Sequence, residues 1–475
     1  MSLIEQRNPF TNEVVFSRES ETFEAVNARI NRAQQASRLW RCRSVGQRSQ
    51  VLMQALDYFR TYRETIAEGV TREMGKPIKE ARGELDFMIE RAEYMCRFAA
   101  DGALDAHSLA TYAGEDFSGR LESRAKGVVY VITPWNYPLF CAINGVICAL
   151  LSGSAVVLKH TTTPSVGEHF ERAFGSLDGI DDLLVNITVD FAVSAQVIEH
   201  SDINHVVFTG SVKGGQTIQQ SVAARVFNEV PSPFIASSLE LGSSDAAYIA
   251  EDADLEHAVL WAVKIGRLHN SGQSCCAVKR VYVHESRYRD FIDRARKVME
   301  AEVCGDPMAE GVTMGPLFGG PAAVESLVAM VRDAENAGAR VICGGTTESH
   351  SEALFLSPTL IADATPDMRV LREETFGPVL PVVSVPDDAA AIREVDRSDF
   401  GLTASIFTTS RERAERFIAA CDSGTVYVNR CNFVDARLGW IGHRCSGNGS
   451  IALSPLGLAA FSYTRSVNID PSALR

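Results

Sequence analysis

The chain has 475 residues, 46% of them hydrophobic and 22% charged, and a formal net charge of −14 from 60 acidic against 46 basic side chains. A single hydrophobic core stops growing near roughly 250–300 residues, so this length implies two large domains, and a mean hydropathy of −0.01 fits a globular enzyme and not a disordered chain. The acidic balance, without any Lys/Arg-rich run, argues against nucleic acid and anionic membrane surfaces as partners, because displacing counterions from phosphates needs a dense cationic face.

Eleven cysteines, an odd number without CxxC pairs, and an N-terminus (MSLIEQRNPF) lacking a basic stretch before an apolar core point to a reduced, cytoplasmic compartment. The most apolar stretch, Gly127 to Lys159, is cut by Pro134, Asn136, Pro138 and Asn144, so it reads as buried core and not as a membrane span. The ten histidines show no metal-ligand spacing, and no metal is expected.

In chain order, Glu21 to Ala100 is helical in pattern. Val51, Leu52, Ala55, Leu56 and Phe59 recur on one face, as do Leu85, Met88, Ile89, Ala92 and Cys96, while Gly75 and Pro77 bracket a stop and restart. Residues 107–125 change to short polar or alternating segments around Gly114 to Gly119, the pattern of a hairpin standing off the globule. From Lys126, apolar runs alternate with helical segments: GVVYVIT, LFCAINGVICALL, AVVLK, LLVNIT, HVVFTG, SSLEL. Such alternation with short connections implies parallel strands and right-handed crossovers. A second set follows Gly242, with DAAYIA, KRVYVH, RVICGG, FLSPTLIA and PVLPVVSV. The expectation is an α/β fold of two doubly wound parallel-sheet domains with a small β arm. Residues 1–106 and 126–241 form a dinucleotide-binding domain, 242–445 a catalytic domain, and 107–125 with 461–475 the arm.

The chemistry concentrates in NSGQSCCAVKR, Asn270 to Arg280, where a thiol on a turn at a domain seam has the accessibility that a nucleophile requires. Taken alone, either cysteine fits an inert buried thiol as well. Four further segments bear on the choice: TPWNYP at Thr133 to Pro138, FTGSVKGG at Phe208 to Gly215, LELG at Leu239 to Gly242 and EETFGPV at Glu373 to Val379. Together with NSGQSC, in this order and spacing, they resemble the aldehyde dehydrogenase superfamily, non-acylating type, over almost the whole chain.

That resemblance implies oxidation of an aldehyde or semialdehyde to its acid with NAD or NADP, through a thiohemiacetal and a thioester on Cys275. Cys276 is the bystander, with at most a protective redox role. Asn136 and the Cys275 backbone N–H would hold the oxyanion, and Glu240, in an apolar context that raises its pKa, would activate water. Cofactor binding falls to Ile132, Thr133, Pro134, Trp135, Lys159, Thr162, Phe208, Thr209, Gly210, Ser211, Gly215, Leu241, Gly242, Glu374 and Phe376. The glycines open a helix N-terminus to the dinucleotide. Thr162 stands where many members carry a glutamate that repels a 2′-phosphate, which leaves NAD and NADP both open. Trp440 and His269 are placed at the substrate tunnel.

The sequence departs from the family at several points. Ser243 and Ser244 replace a glycine and a lysine, so a side chain at 243 is expected to crowd the approach of cofactor or substrate. The 186–195 loop lacks the family's glycines, which puts cofactor affinity in doubt. GWIGHRCSGNG at Gly439 to Gly449 matches imperfectly, with Ile441 and Arg444 substituted. A CoA-acylating enzyme and a retired member acting as a binding protein are the alternatives; Glu240 opposes the first, and retention of Asn136, Glu240 and Cys275 opposes the second. The alternating FSYTRSVNI run suits an edge strand that, in the family, pairs with a neighbour's hairpin, which predicts a homodimer or dimer of dimers.

Overall fold

Strands Val128–Ile132 and Ala155–Lys159 are buried at every position, the burial of a parallel sheet covered on both faces. In the computed structural model, which describes residues 2–104, 107–108, 118–160 and 162–470, they belong to a five-stranded sheet. Its order is Leu184–Ile187, Ala155–Lys159, Val128–Ile132, Ile203–Thr209, Ala236–Glu240, with every neighbour parallel. Strand alternation sorts the faces. Val128, Tyr130 and Ile132 pack with Val26, Ile30 and Ala33 of helix Phe23–Trp40. Val129 and Val131 turn instead to the layer of helices Val45–Thr61, Ile78–Phe98 and Pro138–Ser152.

A seven-stranded sheet begins at Asp245. Its order is Arg340–Cys343, Thr359–Ala362, Val379–Val385, Val278–His284, Asp245–Ile249, Thr403–Phe407, Thr425–Val428. The edge strand Arg340–Cys343 runs antiparallel to Thr359–Ala362, so this sheet is mixed and not wholly parallel as expected. Residues 241–244 join the two sheets. They lead from the carboxyl end of the Ala236–Glu240 strand to the start of the second sheet, where the Cys275 loop feeds strand Val278–His284. Glu240 and Cys275 are thereby brought to one seam.

The C-terminal strand Ser462–Ile469 pairs antiparallel with Ser118–Ala125 of its own chain, from Ser462↔Ala125 to Ile469↔Ser118, and stands at the edge of that sheet, its other side unpaired among the described residues. Pairing period determines that a strand is at an edge, not whose edge completes it. His107–Ser108 flanks the other side of Ser118–Ala125; the Gly114 to Gly119 segment lies largely outside the described residues. An N-terminal hairpin, Leu3–Arg7 with Val14–Glu19, carried no strong sequence signal and was not anticipated.

Candidate active site

The segment before Cys275 is held in an uncommon backbone. Asn270 and Ser271 both have φ of 54° and Gly272 has 77°, three left-handed residues in series where only Asn and Gly are at ease. Buried bonds over-determine the turn. Asn270 Nδ2 donates to Asn136 O at 2.9 Å, Ser271 Oγ to Gly315 O at 2.9 Å, and the fully buried Arg267 to Gly272 O and Thr375 O, each at 2.9 Å. Glycine is required at 272, because a Cβ there would lie 2.5 Å from Gly377 O. The strain raises Cys275 into a cavity of about 430 Å³ that Cys276, Glu240, Thr209, Trp440 and His269 also line.

Cys276, hydrogen bonded to Cys275, together with burial holds the Cys275 thiol well above its ordinary pKa, while Lys279 pulls the other way. Once one sulfur of this adjacent pair is ionised, the other keeps its proton. Cys276 Sγ lies 3.1 Å from Asn432 Oδ1.

Asn136 is buried, and its Nδ2 donates to Gln273 O at 3.2 Å, which leaves its second N–H for a ligand. The helix that follows, Pro138–Ser152, starts on a buried carboxylate: Glu84 accepts from Leu139 N at 2.9 Å and Phe140 N at 3.1 Å. Lys76, fully buried, pairs with Glu84 and lies 4.0 Å from the centre of the Tyr137 ring. Tyr137 in turn stacks on His269, and its hydroxyl meets His269 Nδ1 at 2.8 Å. These contacts fix the Asn136 turn against the cysteine loop.

Glu240 is 8% exposed, and burial pushes its carboxyl from 4.5 up to about 7, with the nearby Arg91 charge and the Trp440 indole pulling it down. Its strand is stapled from the C-terminal segment: Leu241 N donates to Ser446 O at 2.9 Å and Leu239 N to Asn448 Oδ1 at 3.1 Å. A Cβ at Gly447 would sit 2.5 Å from Leu239 O, so only glycine permits that approach.

Ser243 does not crowd the site, contrary to expectation. It is fully buried beneath the cysteine loop, its Oγ donating to Cys275 O and accepting from Lys279 Nζ at 2.9 Å. Lys279 is likewise fully buried. It donates to Ser274 O at 3.0 Å and to Cys275 O, and ion-pairs Glu374 at 3.5 Å, while Ser243 N donates to Glu374 Oε1 at 2.8 Å. One cation thus joins the backbone of the Cys275 residue to the Glu374 carboxylate.

Residues 2–467 match the sequence profile described as the aldehyde dehydrogenase family. The chain belongs to this family. It is 32% identical over 468 residues to the succinate-semialdehyde dehydrogenase [NADP(+)] of Deinococcus radiodurans, covering 98% of this chain and 94% of that one. It is 30% identical over 454 residues to the peroxisomal aminoaldehyde dehydrogenase 1 of Malus domestica, covering 93% and 88%. The solved lactaldehyde dehydrogenase from Escherichia coli superposes with a TM-score of 0.90 at 29% identity, covering 99% of this chain and 96% of that one. Oxidation of an aldehyde with a nicotinamide dinucleotide is the general reaction of aldehyde dehydrogenases.

Several of the residues assigned to a dinucleotide on family resemblance fall along the carboxyl ends of the first sheet, where open α/β sheets take their ligands, while Glu374 and Phe376 precede strand Val379–Val385 of the second. Ile132 is level with Lys159 on one side and Phe208 on the other, and Thr209 is level with Glu240. Thr133 Oγ1 donates to Lys159 O at 3.2 Å. Ser211 caps helix Val212–Phe227, accepting from Gly214 N at 3.1 Å. A Cβ at Gly210 would meet the Phe208 ring at 2.5 Å, and one at Gly215 would meet Leu241 at 2.6 Å. At Gly242 a Cβ would strike Glu374 Oε2 at 2.3 Å. Thr162 Oγ1 is buried with no hydrogen-bond partner among the described residues, and an unmade buried hydrogen bond beside Lys159 fits a site for ribose or phosphate oxygens. Burial lowers Lys159 to about 8, with Asp190 opposing. Trp135, which follows Pro134, stacks on Phe318 at 4.4 Å and meets Phe376 edge-on at 5.7 Å. In the 186–195 segment, Asp190 caps helix Phe191–Glu199 and Phe191 projects 90% exposed, 5.2 Å from the Lys159 ammonium.

Sequence reasoning missed Arg91, Lys279, Lys76, Glu84 and Phe318. Lys279 lies inside NSGQSCCAVKR without a role that the motif names, the others lie outside the motifs, and most of their contacts cross a long sequence separation. For Glu84 and Arg91 the signal available was a run of ionisable residues on an otherwise core-facing helix, Ile78–Phe98.

Proposed function

We propose that this aldehyde dehydrogenase oxidises its substrate through a covalent adduct on Cys275, with Glu240 as the base and Asn136 as the oxyanion donor. The observation that carries the reading is the convergence of Cys275 and Glu240 on one 430 Å³ cavity while Gln273 ties Asn136 to the cysteine loop. Glu240, with a pKa of about 7, takes up a proton near neutrality, which suits a base that accepts a proton from water, while the thiol loses its own proton to solvent. The thiolate adds to the aldehyde carbon, and the charge that develops on oxygen is met by the free Asn136 amide N–H and the Cys275 backbone N–H. A neutral amide stabilises that oxygen without pairing with the thiolate.

Ile132, Thr133, Pro134, Trp135, Lys159, Thr162, Phe208, Thr209, Gly210, Ser211, Gly215, Leu241, Gly242, Glu374 and Phe376 would hold a dinucleotide, which would supply the acceptor for the hydride that leaves the adduct carbon as the thioester forms. Glu240 then deprotonates the water that releases the acid, which favours hydrolysis over transfer to CoA. Residues 1–106 and 126–241 act in this reading as the dinucleotide-binding domain, 242–445 as the catalytic domain and the 107–125 and 461–475 segments as the oligomerisation arm of a dimer or dimer of dimers. The cytoplasm is the favoured compartment, since all eleven cysteines are free thiols.

The test is reduced-nicotinamide absorbance with NAD⁺ or NADP⁺ and a panel of aldehydes, beside Cys275→Ser. Turnover that vanishes in the variant is expected; turnover that survives it, or that requires CoA, overturns the mechanism. A monomer in light scattering defeats the oligomeric assignment.

A further inference from the structure

We propose that the aldehydes this chain takes carry a carboxylate on an apolar frame, bound by the buried guanidinium of Arg91; the inference rests on the reading of the Cys275 cavity as the aldehyde site. Arg91 stands on helix Ile78–Phe98, is 6% exposed, and lines that cavity. A guanidinium has five N–H donors. Two N–H bonds are made here: Nη1 to Asn144 Oδ1 at 2.9 Å and Nη2 to Val434 O at 3.4 Å. Both acceptors are neutral, and Arg91 forms no ion pair among the described residues.

An isolated buried charge is costly, and arginines inside proteins are ordinarily paired. Here the plane of the guanidinium is set by the Phe140 ring, 4.2 Å from its central carbon, so its remaining donors are oriented and not free to reach solvent. The other ionisable groups of the cavity do not supply the missing anion. Glu240 lies near enough for the two charges to favour each other, but it forms no ion pair or hydrogen bond with Arg91 among the described residues and is partly protonated at neutral pH. Asp435 is held by Arg437 at 2.6 Å. Glu90 is exposed on the same helix. Arg430, 3.9 Å from the Phe433 ring, adds a further positive charge behind one wall. The rest of the lining is largely aromatic, with Phe87, Tyr94, Phe140, Trp261, Phe433 and Trp440. A ligand that satisfies these walls is apolar in its body and anionic where it meets Arg91, and the planar fork of an arginine matches a carboxylate in particular.

The experiment compares three aldehydes of equal length on the wild-type enzyme: adipate semialdehyde, heptanal and 5-(trimethylammonio)pentanal. A charge-assisted hydrogen bond to the substrate predicts a kcat/KM for the carboxylate roughly 10-fold to 100-fold above that of heptanal, with the cation lowest. In Arg91→Gln the ratio of carboxylate to neutral substrate collapses toward one, and Arg91→Lys retains part of it. Because the wild-type series alone decides the preference, a variant that fails to fold does not remove the test. Heptanal turned over as well as the carboxylate, with activity lost in Cys275→Ser, overturns the anionic substrate class and leaves aldehyde oxidation standing. Silence of all three aldehydes with either dinucleotide, in a panel where no other aldehyde reacts, overturns both.

Discussion

Replacing Glu240 by Gln separates the cost of a buried base from its use. Burial lifts the Glu240 carboxyl from 4.5 to about 7, so the folded chain holds this proton more tightly than the unfolded chain does. The penalty is absent below about pH 4.5, grows as pH rises toward 7, and is constant above it. At about 1.36 kcal/mol per unit, the rise corresponds to an upper limit of about 3 kcal/mol. Glu240→Gln keeps the shape and removes the charge. Its unfolding free energy should therefore exceed the parent's by up to that amount at pH 8, and the gap should close toward pH 5, as read by denaturant titration at both values. Catalytically, the variant should form about one equivalent of reduced dinucleotide in a rapid-mixing experiment and then stall. Steady-state turnover should fall by roughly 10²–10⁴, the range that a positioned general base contributes. In the parent, deacylation should rise with pH through about 7 and then level. A variant no more stable than the parent at pH 8, together with undiminished steady-state turnover, would refute the assignment.

Asn136→Ala should lower kcat/KM by roughly 10²–10³ while dinucleotide-induced thermal stabilisation persists, because one oxyanion donor is lost and the cofactor cleft is untouched; equal losses in both readouts would point to a disturbed fold instead. Lys159, lowered to about 8 by burial, is charged below that pH and neutral above it. NADP⁺ affinity should therefore weaken relative to NAD⁺ as pH rises past 8, and Lys159→Met should flatten the difference in a titration of dinucleotide binding. Lys279→Met removes the ion-pair partner of Glu374, which is 24% exposed and keeps the Ser243 N–H, so the cost should fall below the roughly 3–5 kcal/mol of breaking a fully buried pair from one side. The expected result is a lower melting temperature and a raised KM for the dinucleotide, and unchanged values of both would dismiss Lys279 as a positioning residue.

Much of the fold was legible because parallel sheets write themselves as short, uniformly apolar runs between helical periods. The Val128–Ile132 and Ala155–Lys159 strands are buried throughout, and no other local structure suits VVYVI and AVVLK between turn residues. The family was legible only through several motifs taken together, and the juxtaposition of Cys275 and Glu240, far apart in sequence, comes through the crossing of the chain at residues 241–244. What stayed hidden depends on direction in space. FSYTRSVNI reads as an edge strand, but nothing in its alternation says that Ser118–Ala125 of the same chain completes it. Arg91 looks like one more charge on an amphipathic helix, and only the packing of Phe140 and Asn144 around it turns that charge inward.

Ser243, Ser244 and Lys279 show why single departures from a family pattern mislead. Where the family carries Gly-Lys after the glutamate motif, this chain has two serines, which taken alone suggest both a steric clash and a lost cation. The pairing of strands Asp245–Ile249 and Val278–His284 is irregular at this point: Asp245 is level with Val278 and Ala246 with Arg280, so Lys279 has no partner in the register. An unpaired residue in a ladder re-aims its side chain, and Lys279 points into the space beneath Cys275 and Glu374. The small hydroxyl of Ser243 then accepts from the relocated ammonium and donates to the Cys275 carbonyl, a role that a glycine at 243 has no atom to fill. Asp245, raised to about 6 by burial, has Lys279 among the groups that hold it down, so the cation also compensates a second buried carboxyl. The two strands therefore carry one electrostatic arrangement distributed over both, and its parts make physical sense only when their register is known.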